Sequence, residues 1–88
     1  MAWTIEFERE AERELTRLGT VAAERILTTL QTRIAARDDP HELGTALVGR
    51  WSGLWRYRIG DYRVVARIEG ERLVILVVRV AHRREVYR

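Results

Sequence analysis

"LWRYRIGDYRVVARIEGERLVILVVRV", residues 54–80, decides the fold. It holds three strand-like runs, "LWRYRI", "YRVVARI" and "LVILVVRV", punctuated by Gly60-Asp61 and by "EGER". β-branched and aromatic residues suit a pleated, half-buried backbone. Gly-Asp between two such runs is a tight hairpin signal, and Gly70 supplies a turn position in the second link. With Gly60-Asp61 as a two-residue loop, Ile59 faces Tyr62, Arg58 faces Arg63 and Tyr57 faces Val64. Side chains alternate along a strand. One face then carries Trp55, Tyr57, Ile59, Tyr62, Val64, Ala66 and Ile68 as a core face. The other carries Arg56, Arg58, Arg63 and Arg67, with Leu54 and Val65 among them.

The core face needs a cover, and the upstream half supplies one. "WTIEF" alternates, with Trp3, Ile5 and Phe7 on one side, and reads as a short half-buried strand. In "EREAERELTRLG", Ala11, Leu15 and Leu18 recur at helical spacing, with Gly19 as a C-cap. Its remaining charges, Glu10 to Glu14 and Arg13 to Arg17, read as a solvated face. A second helix starts from Thr20 as N-cap, buries Ala23, Ile26, Leu27, Leu30 and Ile34, and stops before Pro40. Residues 38–53 read as a Gly-rich connecting loop. The expected fold is α+β, in the order β-α-α-β-β-β: an antiparallel-rich sheet with an N-terminal helical hairpin packed on one face. Residues 1–88 form one domain, the size of a single modest core.

Charge narrows the function. The net charge is +3, and all 16 basic residues are arginine. Acids crowd the first helix, whereas nine arginines follow Arg50 against Asp61, Glu69, Glu71 and Glu85. A basic C-terminal half points to an anionic partner, nucleic acid first. Like charges directly opposite each other destabilise a strand pair, so Arg58 against Arg63 calls for an anion or a nearby carboxylate, or else for a solvated face whose arginines lean apart. The tail "AHRREVYR", residues 81–88, adds His82, Arg83, Arg84, Tyr87 and Arg88 at the rim of the same face. Guanidinium groups for phosphates and a ring for a base make a nucleic-acid groove. His41 reads as a solvent-exposed loop residue.

Other chemistries find no support. The chain has no cysteine and two isolated histidines, so no metal-ligand spacing occurs and neither metal nor cofactor is expected. No Gly-rich phosphate loop, GxSxG or paired-carboxylate motif is present. The start "MAWTIEFERE" lacks an apolar h-region, and no run suffices to span a bilayer, so a cytoplasmic protein without membrane contact is expected.

"GDYRVV" and "HRREVY", spaced around two strands, together with the helical hairpin and first strand, give the chain a resemblance to RelE toxins of the RelE/ParE superfamily. It covers nearly the whole chain. The resemblance implies a toxin of a type II toxin–antitoxin system. It implies a ribosome-dependent mRNA endonuclease that cleaves A-site mRNA by attack of a ribose 2′-OH on the adjacent phosphate, without a metal. Its implied partners are the ribosome and A-site mRNA, a RelB-like antitoxin that is acidic and partly disordered, and operator DNA only through the antitoxin complex. Arg63 matches the family arginine that stabilises the scissile phosphate. Arg83 matches the arginine assigned to leaving-group protonation or charge stabilisation. Tyr87 matches the C-terminal tyrosine that orients and stacks on mRNA. Arg56 and Arg58 fall where well-described members carry two lysines, one of them a candidate general base. Arginine is a poor proton acceptor, which brings in His82, whose ordinary pKa sits near working pH. A ParE-like inhibitor of DNA gyrase is the alternative on the same fold. A non-catalytic toxin homologue, acting as a binding module with its antitoxin, is the third reading.

Overall fold

The structure is a computed structural model, and it describes residues 3–85. Strand β1 (Thr4–Phe7) leads into helices α1 (Arg9–Leu18) and α2 (Thr20–Thr29). Strands β2 (Thr45–Ala46), β3 (Trp55–Ile59), β4 (Tyr62–Glu69) and β5 (Val74–His82) follow. They form one sheet in the order β1-β5-β4-β3-β2. The pairs β2–β3, β3–β4 and β4–β5 are antiparallel, and β1 runs parallel to β5. The helical hairpin between β1 and the meander is the crossover that a parallel neighbour requires.

The expected β3–β4 register is the one observed: Ile59 with Tyr62, Arg58 with Arg63, Tyr57 with Val64. Tyr57, Ile59, Val64 and Ala66 bury with Ala11, Ile26, Leu30, Ile34, Ile75, Val77 and Val80 in the main core. Trp3, Ile5 and Phe7 pack against it from β1, as their alternation implies. A fully buried aliphatic side chain contributes about 1.5–3 kcal/mol, so this cluster carries most of the fold's stability.

Three local expectations need correction. The stretch 38–53 is not all loop: Thr45 and Ala46 pair with Arg56 and Trp55, and 3-10 turns form at Pro40–Leu43 and Gly49–Trp51. Thr20 is the first residue of α2 and not its cap; Gly19, with φ 95°, ends α1 and begins α2. The second helix buries Ala22 on its stripe and closes in a π turn, Leu30–Ile34, where the Ala35 amide donates to the Leu30 carbonyl at 2.7 Å. In the β4–β5 link Gly70 lies in the turn as expected, its carbonyl accepting the Leu73 amide at 3.4 Å, and Leu73 takes the left-handed conformation, φ 53°.

The charged face of α1 is not wholly solvated either. Past Val77 strand β5 has outrun β1, leaving a bare edge. Glu14 covers it: one carboxylate oxygen accepts the Val80 amide at 2.8 Å, and the other lies 3.0 Å from Arg79 Nε. This helix–sheet clamp satisfies a backbone donor that burial would otherwise strand.

Strand β5 also carries a bulge. Val65 pairs with Arg79 and Ala66 with Val77, which leaves Val78 unmatched. An extra residue reverses the alternation beyond it. Ile75 and Val77 face the helices before the bulge; Val80 does so after it. His82 consequently lies across from Tyr62 on the helix side, and Ala81 lies across from Arg63 on the opposite face.

Candidate nucleic-acid interface

The sheet face away from the helices has an apolar floor with a basic rim. Val65 and Ala81 are buried there, with Leu47, Leu54 and Val78 packed against them. Leu47 and Leu54 arrive through the β2–β3 hairpin, whose backbone closes at 3.0 Å between the Leu47 amide and the Leu54 carbonyl.

Arg63 stands at the centre of the rim. Its Nη1 donates to the Gly60 and Tyr62 carbonyls at 3.0 and 2.8 Å, so the hairpin turn holds one side of the guanidinium. Gly60 permits that turn by its positive φ of 60°. Partial burial pulls the Arg63 pKa below the ordinary guanidinium value, followed by the charges of Arg58, Arg56 and Arg83, with Asp61 opposing. Burial is the larger cause of that direction; the three arginine charges beside it mark the positive potential around Arg63. Arginine stays charged regardless.

Arg83 joins this group because its backbone is tied to the turn. Its amide donates to the Asp61 carbonyl at 2.8 Å, and its Nη1 lies 4.0 Å from Asp61 Oδ1. Arg67 shares the face but sits four residues along β4 from Arg63, roughly 13 Å at strand rise. It is absent from the charges that act on Arg63. Arg72 and Arg79 are taken out of play by carboxylates, the first by Glu69 and Glu6, the second by Glu14. Arg56, Arg58, Arg63 and Arg67 have no ion pair among the described residues.

His82 is not part of the group. Its ring meets Tyr62 edge to face, centroids 6.1 Å apart, on the helix side of the sheet. Its Nδ1 lies 3.4 Å from the Arg84 amide. Tyr87 lies outside the described residues. His41 is not a free loop residue: Nδ1 is 2.6 Å from Asp39 Oδ1, and the ring meets Trp55 edge to face. That contact braces Pro40, whose carbonyl accepts the buried Tyr57 hydroxyl at 2.7 Å.

Because β2 is only two residues long, the edge of β3 beyond Arg56 has no strand neighbour among the described residues. A cavity of about 180 Å³ opens there, lined by Thr29, Arg33, Thr45, Arg56 and Arg58 among others. Arg25, Thr29 and Arg33 recur every fourth position along the second helix, a spacing visible in the sequence. Arg25 lies against the β3–β4 turn: a Cβ on Gly60 would stand 2.6 Å from its Nη2.

No helix among the described residues is long and apolar enough to cross a membrane. Comparison with known proteins places the chain in a family. The sequence model described as "ParE toxin of type II toxin-antitoxin system, parDE" matches residues 5–87. Toxin RelG of Mycobacterium tuberculosis is 32% identical over 91 residues, spanning 100% of this chain and 99% of RelG. The M. tuberculosis toxin–antitoxin complex RelBE2 contains a chain that superposes with a TM-score of 0.85 at 24% identity, covering 93% of this chain and 92% of that one. A variant of the E. coli toxin RelE, solved with an antitoxin RelBc peptide, gives a TM-score of 0.71 at 26% identity, covering 99% and 92%. The chain therefore belongs to the ParE toxin family of type II toxin–antitoxin systems, within the RelE/ParE superfamily.

Proposed function

We propose that this toxin is a ribosome-dependent endoribonuclease that cuts mRNA in the ribosomal A site and so stops translation. The observation that carries the proposal is the seat of Arg63, anchored by the hairpin turn and surrounded by the charges of Arg58, Arg56 and Arg83. Such a cluster suits a phosphate whose charge grows in the transition state. In the reaction the ribose 2′-oxygen bonds to phosphorus and the bond to the 5′-oxygen breaks. The 2′-proton passes to solvent water, and the departing 5′-oxygen takes one from solvent, the arginines supplying charge and no proton transfer. Products are a 2′,3′-cyclic phosphate and a 5′-hydroxyl end.

Within this scheme Arg63 stabilises the phosphorane, and Arg83 stabilises the departing oxygen. Arg56 and Arg58 hold the strand, Arg67 meets it farther along the sheet, and Tyr87 stacks on a base. His82, turned toward the helices, acts as a spacer that fixes Arg83 and not as the base. An acidic RelB-like antitoxin is the cellular partner, supported by the RelBE complexes of similar fold. Its acidic segment covers the arginine rim. The cytoplasm is the compartment that such a target requires.

Expression of the wild type beside Arg63→Ala and Arg83→Ala, with mapping of mRNA 5′ ends, tests the proposal. New ends within codons in the wild type, lost in both variants, support it. Toxicity that persists in both variants without new ends refutes it. The ParE description of the matching family supports a second reading, inhibition of DNA gyrase. Gyrase-dependent DNA breaks would then accompany that persistent toxicity.

A further inference from the structure

We infer that the cavity between the π turn and the free edge of β3 is a second phosphate subsite, taking a non-scissile phosphodiester of the same RNA strand. This inference rests on the RNA-cutting function proposed above and adds a residue to it, Arg33, from the helical layer.

The cavity is lined by the guanidinium-bearing residues Arg33, Arg56 and Arg58 and by the hydroxyl-bearing Thr29 and Thr45. No carboxylate lines it among the described residues. Three cations around one hollow repel one another unless an anion sits among them. The hollow, about 180 Å³, has room for a phosphate group and its water, since a water molecule occupies ~30 Å³ in the liquid. A second observation points the same way: Arg56 Nε is buried and has no hydrogen-bond partner among the described residues. Buried donors are almost always satisfied, and an orphan marks the place of a missing water or ion.

Connectivity selects RNA over a free anion. Arg58 lines the cavity and stands directly across from Arg63 in the ladder. Neighbouring strands are about 4.8 Å apart, so one strand of RNA can lie on both groups at once. Arg33 reaches the site from the π turn, an irregularity that recurs at functional positions of helices. A point charge here contributes to strand binding and not to bond cleavage. Its loss therefore changes affinity and leaves the chemical step alone.

The test uses the whole toxin and a short single-stranded RNA with a 2′-deoxy sugar at the cleavage position, so that it binds uncut. Arg33→Gln is expected to weaken binding roughly tenfold and to reduce the salt slope by about one. In ribosome-dependent cleavage the same variant raises KM, with kcat within about twofold of wild type. Inorganic phosphate is expected to shift the Arg56 Nε–H resonance in the wild type and to shift it less in the variant. Arg33 is exposed, and unchanged circular dichroism checks that the variant is folded.

The subsite is overturned if RNA binding ignores Arg33 and phosphate leaves Arg56 Nε–H unmoved, an outcome that leaves the RNA-cutting function standing. A phosphate shift in a wild type that leaves mRNA uncut on programmed ribosomes keeps the anion site and removes the RNA-cutting function. An Arg33 effect confined to an acidic antitoxin peptide also overturns the RNA subsite, and assigns the cavity to a carboxylate.

Discussion

Arg58 lies directly across the β3–β4 ladder from Arg63, two like charges at one cross-strand position. Such a pair costs stability, and among the described residues only Asp61, in the turn, opposes the positive charges acting on Arg63. We expect Arg58→Thr to raise unfolding free energy by roughly 0.2–1 kcal/mol. We expect the same change to lower mRNA cleavage. Urea denaturation and 5′-end mapping read the two effects. A variant that loses stability as well as activity would show that Arg58 is structural.

The Glu14 clamp sets a second expectation. Glu14 is largely sheltered and satisfies both the Val80 amide and Arg79 Nε. Glu14→Ala leaves a buried amide and a partly buried guanidinium unpaired, at roughly 2 kcal/mol or more. Glu14→Gln keeps an acceptor for Val80 and loses less. Equilibrium denaturation gives the ranking, and hydrogen exchange at the Val80 amide should accelerate most in the alanine variant. Equal loss in both would mean that only the charge matters.

The bulge at Val78 separates His82 from Arg83, and their variants should part accordingly. His82→Ala should keep cleavage within a few-fold of wild type, because the ring faces Tyr62. Arg63→Ala should lose about 10²–10³ in rate, the usual effect of removing a transition-state donor. Single-turnover cleavage on programmed ribosomes measures both. A His82→Ala loss as large as that of Arg63→Ala would restore His82 as the proton acceptor.

Tyr57 gives a pH expectation. Burial, and then the nearby Asp39 charge, push its hydroxyl up to about 12 from an ordinary 10. The fold prefers the neutral phenol, so this stabilisation is complete below pH 10 and is lost as pH rises toward 12. The total change is on the order of 2 kcal/mol. Tyr57→Phe leaves the Pro40 carbonyl without its donor and costs about 1 kcal/mol at pH 8. The gap between wild type and variant should close by pH 11.5 in urea midpoints. A gap constant with pH would mean that the hydroxyl ionises freely in the folded state.

The core and the central hairpin were legible because their signals are periodic and local. Gly60-Asp61 fixed the register of β3 against β4, and alternation then divided core from rim. Strand β2 was not legible, because two residues carry no period and Thr45–Ala46 extend only by pairing with β3. Glu14 looked like its charged neighbours on α1. Only the bare edge of β5 distinguishes it. Arg33 looked equally ordinary, since its companions at the cavity come from β2 and β3.

By itself, the sequence determined the layered α+β architecture, the helical cover and the arginine-bearing face, since binary patterning and turn chemistry act over a few residues. Tertiary structure alone decided which tail residue joins Arg63. Unbroken alternation from Ile75 would set Arg83 among the helices and His82 on the basic face. One unmatched residue, Val78, exchanges them. Val78 reads as an ordinary strand residue in "LVILVVRV". The physical reason is that a bulge belongs to a pair of strands: it exists only where β5 must satisfy β4, and α1 must cover the edge that β1 leaves bare.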